Sequence, residues 1–273
     1  MKAVRLLNRL IQSFCQLPGR ARWTVGVLVM IAYSWVFYAA FVAPTGFRWR
    51  AIYGDPDYPK GYSIHGIDIS HHQGHINWHR LRNALVAHDP LRFVFVKATE
   101  GDSHIDTRFR ENFDNAKEAG FIRGAYHFWS NQSSPRRQAY YFTAMVRLEP
   151  GDLPPVLDVE PTDWQISQAG GAEVMFRQVR AWLQEVQREW KVYPILYISQ
   201  SFALKHMPLA PDLGDNYFVW IARYGEYMPH FKLTYWQLSP DGRVRGIRGD
   251  VDINVYNGYE NQYQQFLERH GKK

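Results

Sequence analysis

Short runs of β-branched, aliphatic and aromatic residues recur along the chain between more polar stretches. They lie near residues 64–69, 93–97, 123–128, 155–160, 193–198, 217–222, 234–238 and 251–255. Each has the length of a strand, so the pattern predicts eight. The first four connections are long enough for helices: WHRLRNALVAH, DTRFRENFDNAKEAG ending on Gly120, SPRRQAYYFTAMVRL, and a stretch over 171–190. After the fifth strand one short helical stretch remains, over 202–206, and the later gaps are too short for a crossover helix. Strands alternating with helices predict a parallel α/β sheet, and eight of them a closed, irregular (β/α) barrel whose last third lacks its helices. The competing architecture is an open doubly wound sheet. No glycine-rich phosphate turn follows the first strand, so no nucleotide cofactor is expected.

The N-terminal part has a different pattern. Residues 23–43, WTVGVLVMIAYSWVFYAAFVA, carry no charge and as a helix would span roughly 30 Å. Lys2, Arg5, Arg9, Arg20 and Arg22 precede this run, so the positive-inside bias predicts a transmembrane anchor with a basic cytoplasmic arm over 1–22. A cleaved signal peptide fits less well, because Tyr38 and Phe41 stand where a small residue should precede a cut at Ala40 or Ala43. Residues 44–61, rich in proline and glycine, read as a linker. A globular domain over 62–260 and a short polar tail over 261–273 follow.

Charge sharpens this division. Residues 1–50 hold seven of the 32 basic side chains and none of the 26 acidic ones, leaving 25 basic against 26 acidic in the remainder. The globular part is near neutral, so no nucleic-acid partner is expected. Cys15, the single cysteine, precedes the apolar run. The outer domain therefore has no disulfide and no cysteine nucleophile.

The chemistry concentrates in LPPVLDVEPTDW, where an apolar strand runs into Asp158 and Glu160 and stops at Pro161. Two-residue spacing places both carboxyls on one strand face, with Leu157 and Val159 on the other. Two such close acids cannot both ionise freely, which makes one a candidate general acid of the kind glycosidic bonds require. Ion pairing with arginines is the purely structural alternative. Asp68, in GIDISHHQG, ends the first strand, and Asp252, in GDVDINVYNG, alternates with apolar neighbours in the last. Four acids from three strands make a catalytic cleft more plausible than an apolar core.

Tyr126, Trp129, Trp164, Tyr197, Trp220 and Trp236 lie near strand ends and supply candidate surfaces for sugar rings. The histidines His65, His71, His72, His75 and His79 lack the compact spacing of a zinc enzyme, so no metal is expected and hydrogen-bonding roles are assigned to His71 and His127. There is no G-x-S-x-G elbow.

Taken in order, GIDISHHQGHINW, FVFVKATEG, DTRFRENFDNAKEAGFIRGAYHFW, PPVLDVEPT, PILYIS, FVWIARY, YWQLS and GDVDINVYNG resemble the glycoside hydrolase family 25 lysozymes, the Chalaropsis-type muramidases. The resemblance covers roughly residues 62–260. It implies five βα units followed by three strands, and hydrolysis of the β-1,4 bond between N-acetylmuramic acid and N-acetylglucosamine in peptidoglycan. It also implies Glu160 as acid/base, Asp158 as the acid orienting the substrate's 2-acetamido group, and Asp68 and Asp252 as further cleft acids. Tyr126, Trp220 and Trp236 match aromatic motif positions and become substrate-binding candidates. Direct attack by Asp158 or another acid stays open, as do a non-catalytic peptidoglycan-binding module and a hydrolase of another N-acetylhexosamine polymer such as chitin. An outward-facing domain on the bacterial cytoplasmic membrane would meet its polymer directly.

Overall fold

The computed structural model describes residues 18–37, 61–224, 228–229 and 231–273. The chain divides into two units, Met1–Tyr53 and Gly54–Lys273. In the first, helix α1 (Gly19–Phe37) is free of charge from Trp23 onward and has no buried residue. Among the described residues, no helix is long and apolar enough to cross a membrane. Arg20 and Arg22 lie inside α1. Its charge-free part, from Trp23 to Phe37, covers roughly 22 Å against a hydrocarbon core of roughly 30 Å. The described residues therefore hold only the first part, 23–37, of the transmembrane segment expected over 23–43. Residues 38–43 of that segment, the arm up to residue 17 and the linker up to residue 60 lie outside the described residues.

The second unit is an α/β barrel. Among the described residues its ten strands are β1 (His65–Ile69), β2 (Leu85–Val86), β3 (Asp89–Glu100), β4 (His104–Ile105), β5 (Ile122–Phe128), β6 (Val156–Val159), β7 (Ile195–Ser199), β8 (Phe218–Ala222), β9 (Tyr235–Gly242) and β10 (Val251–Tyr256). Eight close the barrel in the order β1-β3-β5-β6-β7-β8-β9-β10, with β10 returning to β1. All eight correspond to the sequence-predicted runs. The two short strands β2 and β4 pair only with β3.

Two details depart from expectation. Strand β10 runs antiparallel to both β9 and β1, because eight residues between β9 and β10 make a hairpin and cannot hold a crossover helix. The expected helix in WHRLRNALVAH is a single turn over Trp78–Leu81, capped by Asn77; the rest is a β2–β3 hairpin with Ala87 and His88 at φ 50° and 76°. Leu85 is exposed and Val86 buried, the alternation of an edge strand. Phe109–Glu118 forms the expected helix, and Gly120, at φ 84°, ends it in the left-handed conformation glycine accepts without cost.

Alternation along the strands sorts two cores. Leu157, Val159, Val94 and Val96 face outward into the layer under the helices. Phe93, Phe95, Val156, Ile195, Trp220 and Tyr235 face the lumen. Gly66 and Gly124 leave room for this aromatic filling: a Cβ at Gly66 would sit 2.3 Å from the Phe93 ring, and one at Gly124 2.6 Å from Phe95. The expected polar tail is in fact helical over Glu260–His270, and it buries Tyr263 and Phe266 in the lumen core. Its polar residues face water while two aromatics seal the end of the barrel away from the acids, each contributing about 1.5–3 kcal/mol of burial.

Candidate active site

Strand β6 carries the central acids. Asp158 is in register with Phe128 on β5 and Tyr197 on β7. Glu160 follows at the strand end, Pro161 cannot extend the ladder, and Thr162 caps the next helix, Asp163–Gln168. Asp68 lies near the C-terminal end of β1 and Asp252 at the start of β10. Since β10 is reversed, its start reaches the same mouth as the ends of the parallel strands, and Asp68 and Asp252 are direct cross-strand partners. The four carboxyls line one cleft of about 290 Å³, together with Lys97, Tyr126, Tyr197, Trp220 and Tyr224.

Crowding sets the charge state of this cluster. Burial pushes the Asp68 carboxyl up to about 6, and the Glu160 charge adds to the push. Hydrogen bonds from Asn254 Nδ2 (2.7 Å) and Gln237 Nε2 (3.0 Å) to Asp68 Oδ2 act in the opposite sense. Asp252 is pushed up to about 9, by burial first and then by Asp68 and Glu160. Burial, Glu160 and Asp68 hold Asp158 well above the usual carboxylate range. Glu160 is raised by desolvation, while the Tyr197 hydroxyl and the Lys97 charge draw it down. Water reaches the Glu160 side chain at the mouth, so its shift is the most heavily screened of the four. The cluster therefore shares protons at neutral pH.

Asp158 is distinguished by its hydrogen bonding. Its Oδ1 is buried and has no hydrogen-bond partner among the described residues. An unsatisfied buried acceptor is costly, and a donor arriving from the cleft would remove that cost.

The aromatics divide. Tyr126, Tyr197 and Trp220 line the cleft. Trp220 stacks on Phe95 at 4.7 Å between centroids and meets Tyr197 edge-on, so the lumen core props it. Trp236 does not line the cleft, which corrects its reading as a substrate-binding residue. Its neighbours Tyr235 and Gln237 take the lumen face of β9, and Trp236 points outward, fully buried, with Nε1 donating to the Arg223 carbonyl at 2.6 Å. Trp129 is likewise buried in the outer core, and Trp164 is exposed but outside the cleft lining.

Histidines 71 and 127 make hydrogen bonds. His71 Nδ1 lies 2.7 Å from Asp106 Oδ2, and the buried His127 ring bridges Thr99 Oγ1 (2.7 Å) and Gln138 Oε1 (3.1 Å). Among the described residues, no group of three or more histidine, cysteine or acidic side chains is placed to hold a metal.

Sequence reading missed Lys97, Tyr224, Gln237 and Asn254. Lys97 and Gln237 sit in the quoted motifs FVFVKATEG and YWQLS, and Asn254 stands two residues after Asp252 on the same strand face. The period of two was the available signal for Asn254. Tyr224 lies beyond its strand, where periodicity says nothing.

A closed α/β barrel presenting a proton-sharing carboxyl cluster at the mouth formed by the C-terminal ends of its parallel strands and the start of β10 defines an acid/base hydrolase suited to glycosidic bonds. The family model for glycosyl hydrolases family 25 matches residues 67–247. The chain is 37% identical over 213 residues to the protein YegX of Escherichia coli (strain K12), covering 77% of this chain and 75% of the relative. It is 35% identical over 208 residues to Lysozyme M1 of Streptomyces globisporus, covering 71% and 68%. The crystal structure of the bacterial lysozyme from Streptomyces coelicolor superposes with a TM-score of 0.66 at 31% identity, covering 77% of this chain and 98% of that one. The chain belongs to glycosyl hydrolases family 25 and is a glycoside hydrolase of the lysozyme type.

Proposed function

We propose that the protein hydrolyses the β-1,4 bond between N-acetylmuramic acid and N-acetylglucosamine in peptidoglycan, with Glu160 as general acid/base and Asp158 orienting the substrate's 2-acetamido group. The buried, donor-less Oδ1 of Asp158 carries this reading. An acetamido N–H is a donor of the right kind, and accepting from it turns the amide carbonyl oxygen toward the anomeric carbon. Glu160 protonates the departing glycosidic oxygen as that carbonyl oxygen attacks, which gives a cyclic oxazoline-type intermediate. The Glu160 carboxylate then takes a proton from water, the water oxygen bonds to the anomeric carbon, and the ring reopens.

Digestion of purified peptidoglycan by the full chain, with Glu160→Gln in parallel and the new reducing ends identified by mass spectrometry, tests the assignment. Muramic-acid reducing ends that disappear in the variant support it. Retention of the wall without products would move the protein to the binding modules, and preferential release from chitin would move it to another substrate.

The same reading extends to location. We propose that residues 23–43 anchor the chain in the bacterial cytoplasmic membrane with the barrel on the outer side, supported by the basic arm before this charge-free run. Recovery of the full chain in carbonate-washed membranes, with the barrel digested by protease added outside the cytoplasm, is the expected result. Release by the wash would refute the anchor.

A further inference from the structure

Lys97 is the single lysine or arginine among the described residues lining the cleft. It occupies a lumen-facing position near the end of β3, with its side chain 12% exposed. Its Nζ donates to Glu100 Oε2 at 2.7 Å and lies over the Phe128 ring, 4.6 Å from the centroid. In a regular strand, residues three apart point to opposite faces. Here the β3–β5 register shifts between Lys97 and Thr99, and this bulge returns Glu100 to the face of Lys97. The ion pair thus exists because of a local irregularity in the strand.

A lysine held on both sides cannot swing out into water as a free one would. The ammonium is kept beside the carboxyls while the flexible stem is ordered in advance. Asp158 and Glu160 from β6, Asp68 from β1 and Asp252 from β10 share its cleft, with Tyr126, Tyr197, Tyr224 and His72 around them. Both acids of β6 feel the Lys97 charge in the sense that favours their ionised forms.

We propose that Lys97, pinned between Glu100 and Phe128, is a positioning residue: the built-in counter-ion that sets the pH window in which the carboxyl cluster stays partly ionised while Glu160 can give up and take back a proton. This rests on the acid/base roles proposed above. Taking the cation away makes every neighbouring carboxyl harder to ionise. The acid limb of kcat/KM, which needs an ionised carboxyl, and the alkaline limb, which needs the Glu160 proton, then both move to higher pH.

The test is the pH profile of peptidoglycan cleavage by the full chain, compared with Lys97→Gln, Lys97→Arg and Glu100→Gln. Lys97→Gln, which keeps a donor to Glu100, is expected to move both limbs upward by about one pH unit, a loss of about tenfold on the acid limb. Lys97→Arg restores the wild-type limbs. Glu100→Gln removes an anion from the same place and moves the limbs downward, which keeps the proposal testable if Lys97→Gln does not fold. Limbs that stay put in Lys97→Gln, an arginine variant as impaired as the glutamine one, or an upward shift in Glu100→Gln would overturn it. A wild-type chain that releases no muramic-acid ends would overturn the acid/base reading, and this proposal with it. An active wild type with unmoved variants removes only the role of Lys97.

Discussion

Asp68 and Asp252 stand directly opposite each other across the antiparallel β1–β10 ladder. Like charges in that relationship oppose folding, and the barrel keeps them because they face the cleft rather than a neighbouring sheet. The cost has a definite pH dependence. Both carboxyls titrate higher in the folded chain, at about 6 and about 9, than the ordinary carboxylate value of 3.8. The folded state therefore binds more protons than the unfolded one above pH 4, and stability falls as pH rises from about 4 through those values. Asp252→Asn is expected to flatten the decline and to stabilise the fold at neutral pH by about 1–2 kcal/mol, after screening at the mouth. Urea unfolding from pH 4 to 9 measures it; parallel slopes in the two proteins would refute it.

Asn254 tunes Asp68 from the same strand. Its Nδ2 donates to Asp68 Oδ2 at 2.7 Å, and the residue is fully buried. Asn254→Leu removes a hydrogen bond to the charged form, so Asp68 titrates still higher. Stability is therefore reduced most at high pH, where Asp68 is ionised, by about 1.5–3 kcal/mol, and little below pH 4. Melting curves at pH 4 and pH 8 separate the two regimes.

Glu160→Gln is expected to leave the fold intact, because the side chain is solvent-exposed at the mouth. Turnover should fall roughly 10² to 10⁴-fold, the contribution of a positioned general acid. Near-normal turnover in a reducing-sugar assay would sink its assignment.

Asp158→Asn should impair turnover comparably if acetamido orientation matters. Glycans whose acetamido group is replaced by an amine should then be poor substrates for the wild type. Equal cleavage of both glycans would end the neighbouring-group mechanism while leaving the acid/base pair in place.

Gly66→Ala tests the lumen packing. The new methyl would lie 2.3 Å from the Phe93 ring. Overpacking of this kind costs about 1–3 kcal/mol, and Phe93→Leu in the same chain should recover part of the loss. Additive destabilisation in a double-mutant cycle would show that the two positions do not compete for space.

The eight barrel strands were legible because each is a short apolar run between polar stretches, and the Asp158–Glu160 pair because two-residue spacing on one strand fixes a common face. Phase was harder to read. In YWQLS, either Tyr235 or Trp236 satisfies the alternation, and only the neighbouring strands decide that Tyr235 and Gln237 face the lumen while Trp236 leaves it. The helix expected over 78–88 failed for a related reason: pairing of Leu85 and Val86 with the start of β3 outweighs local helix propensity.

By itself, the sequence determined the eight strands that close the barrel, the acids that share a strand face and the near-neutral charge of the globular part, because these depend only on composition and local period. Tertiary structure alone decided that β10 runs backwards and brings Asp252 opposite Asp68, that a bulge turns Glu100 onto Lys97, and that Asn254 and Gln237 reach Asp68 across 186 and 169 residues. Those relationships arise from ladder pairing between distant strands. The energy that selects them comes from burial and hydrogen bonding between segments that are neighbours only once the barrel has closed.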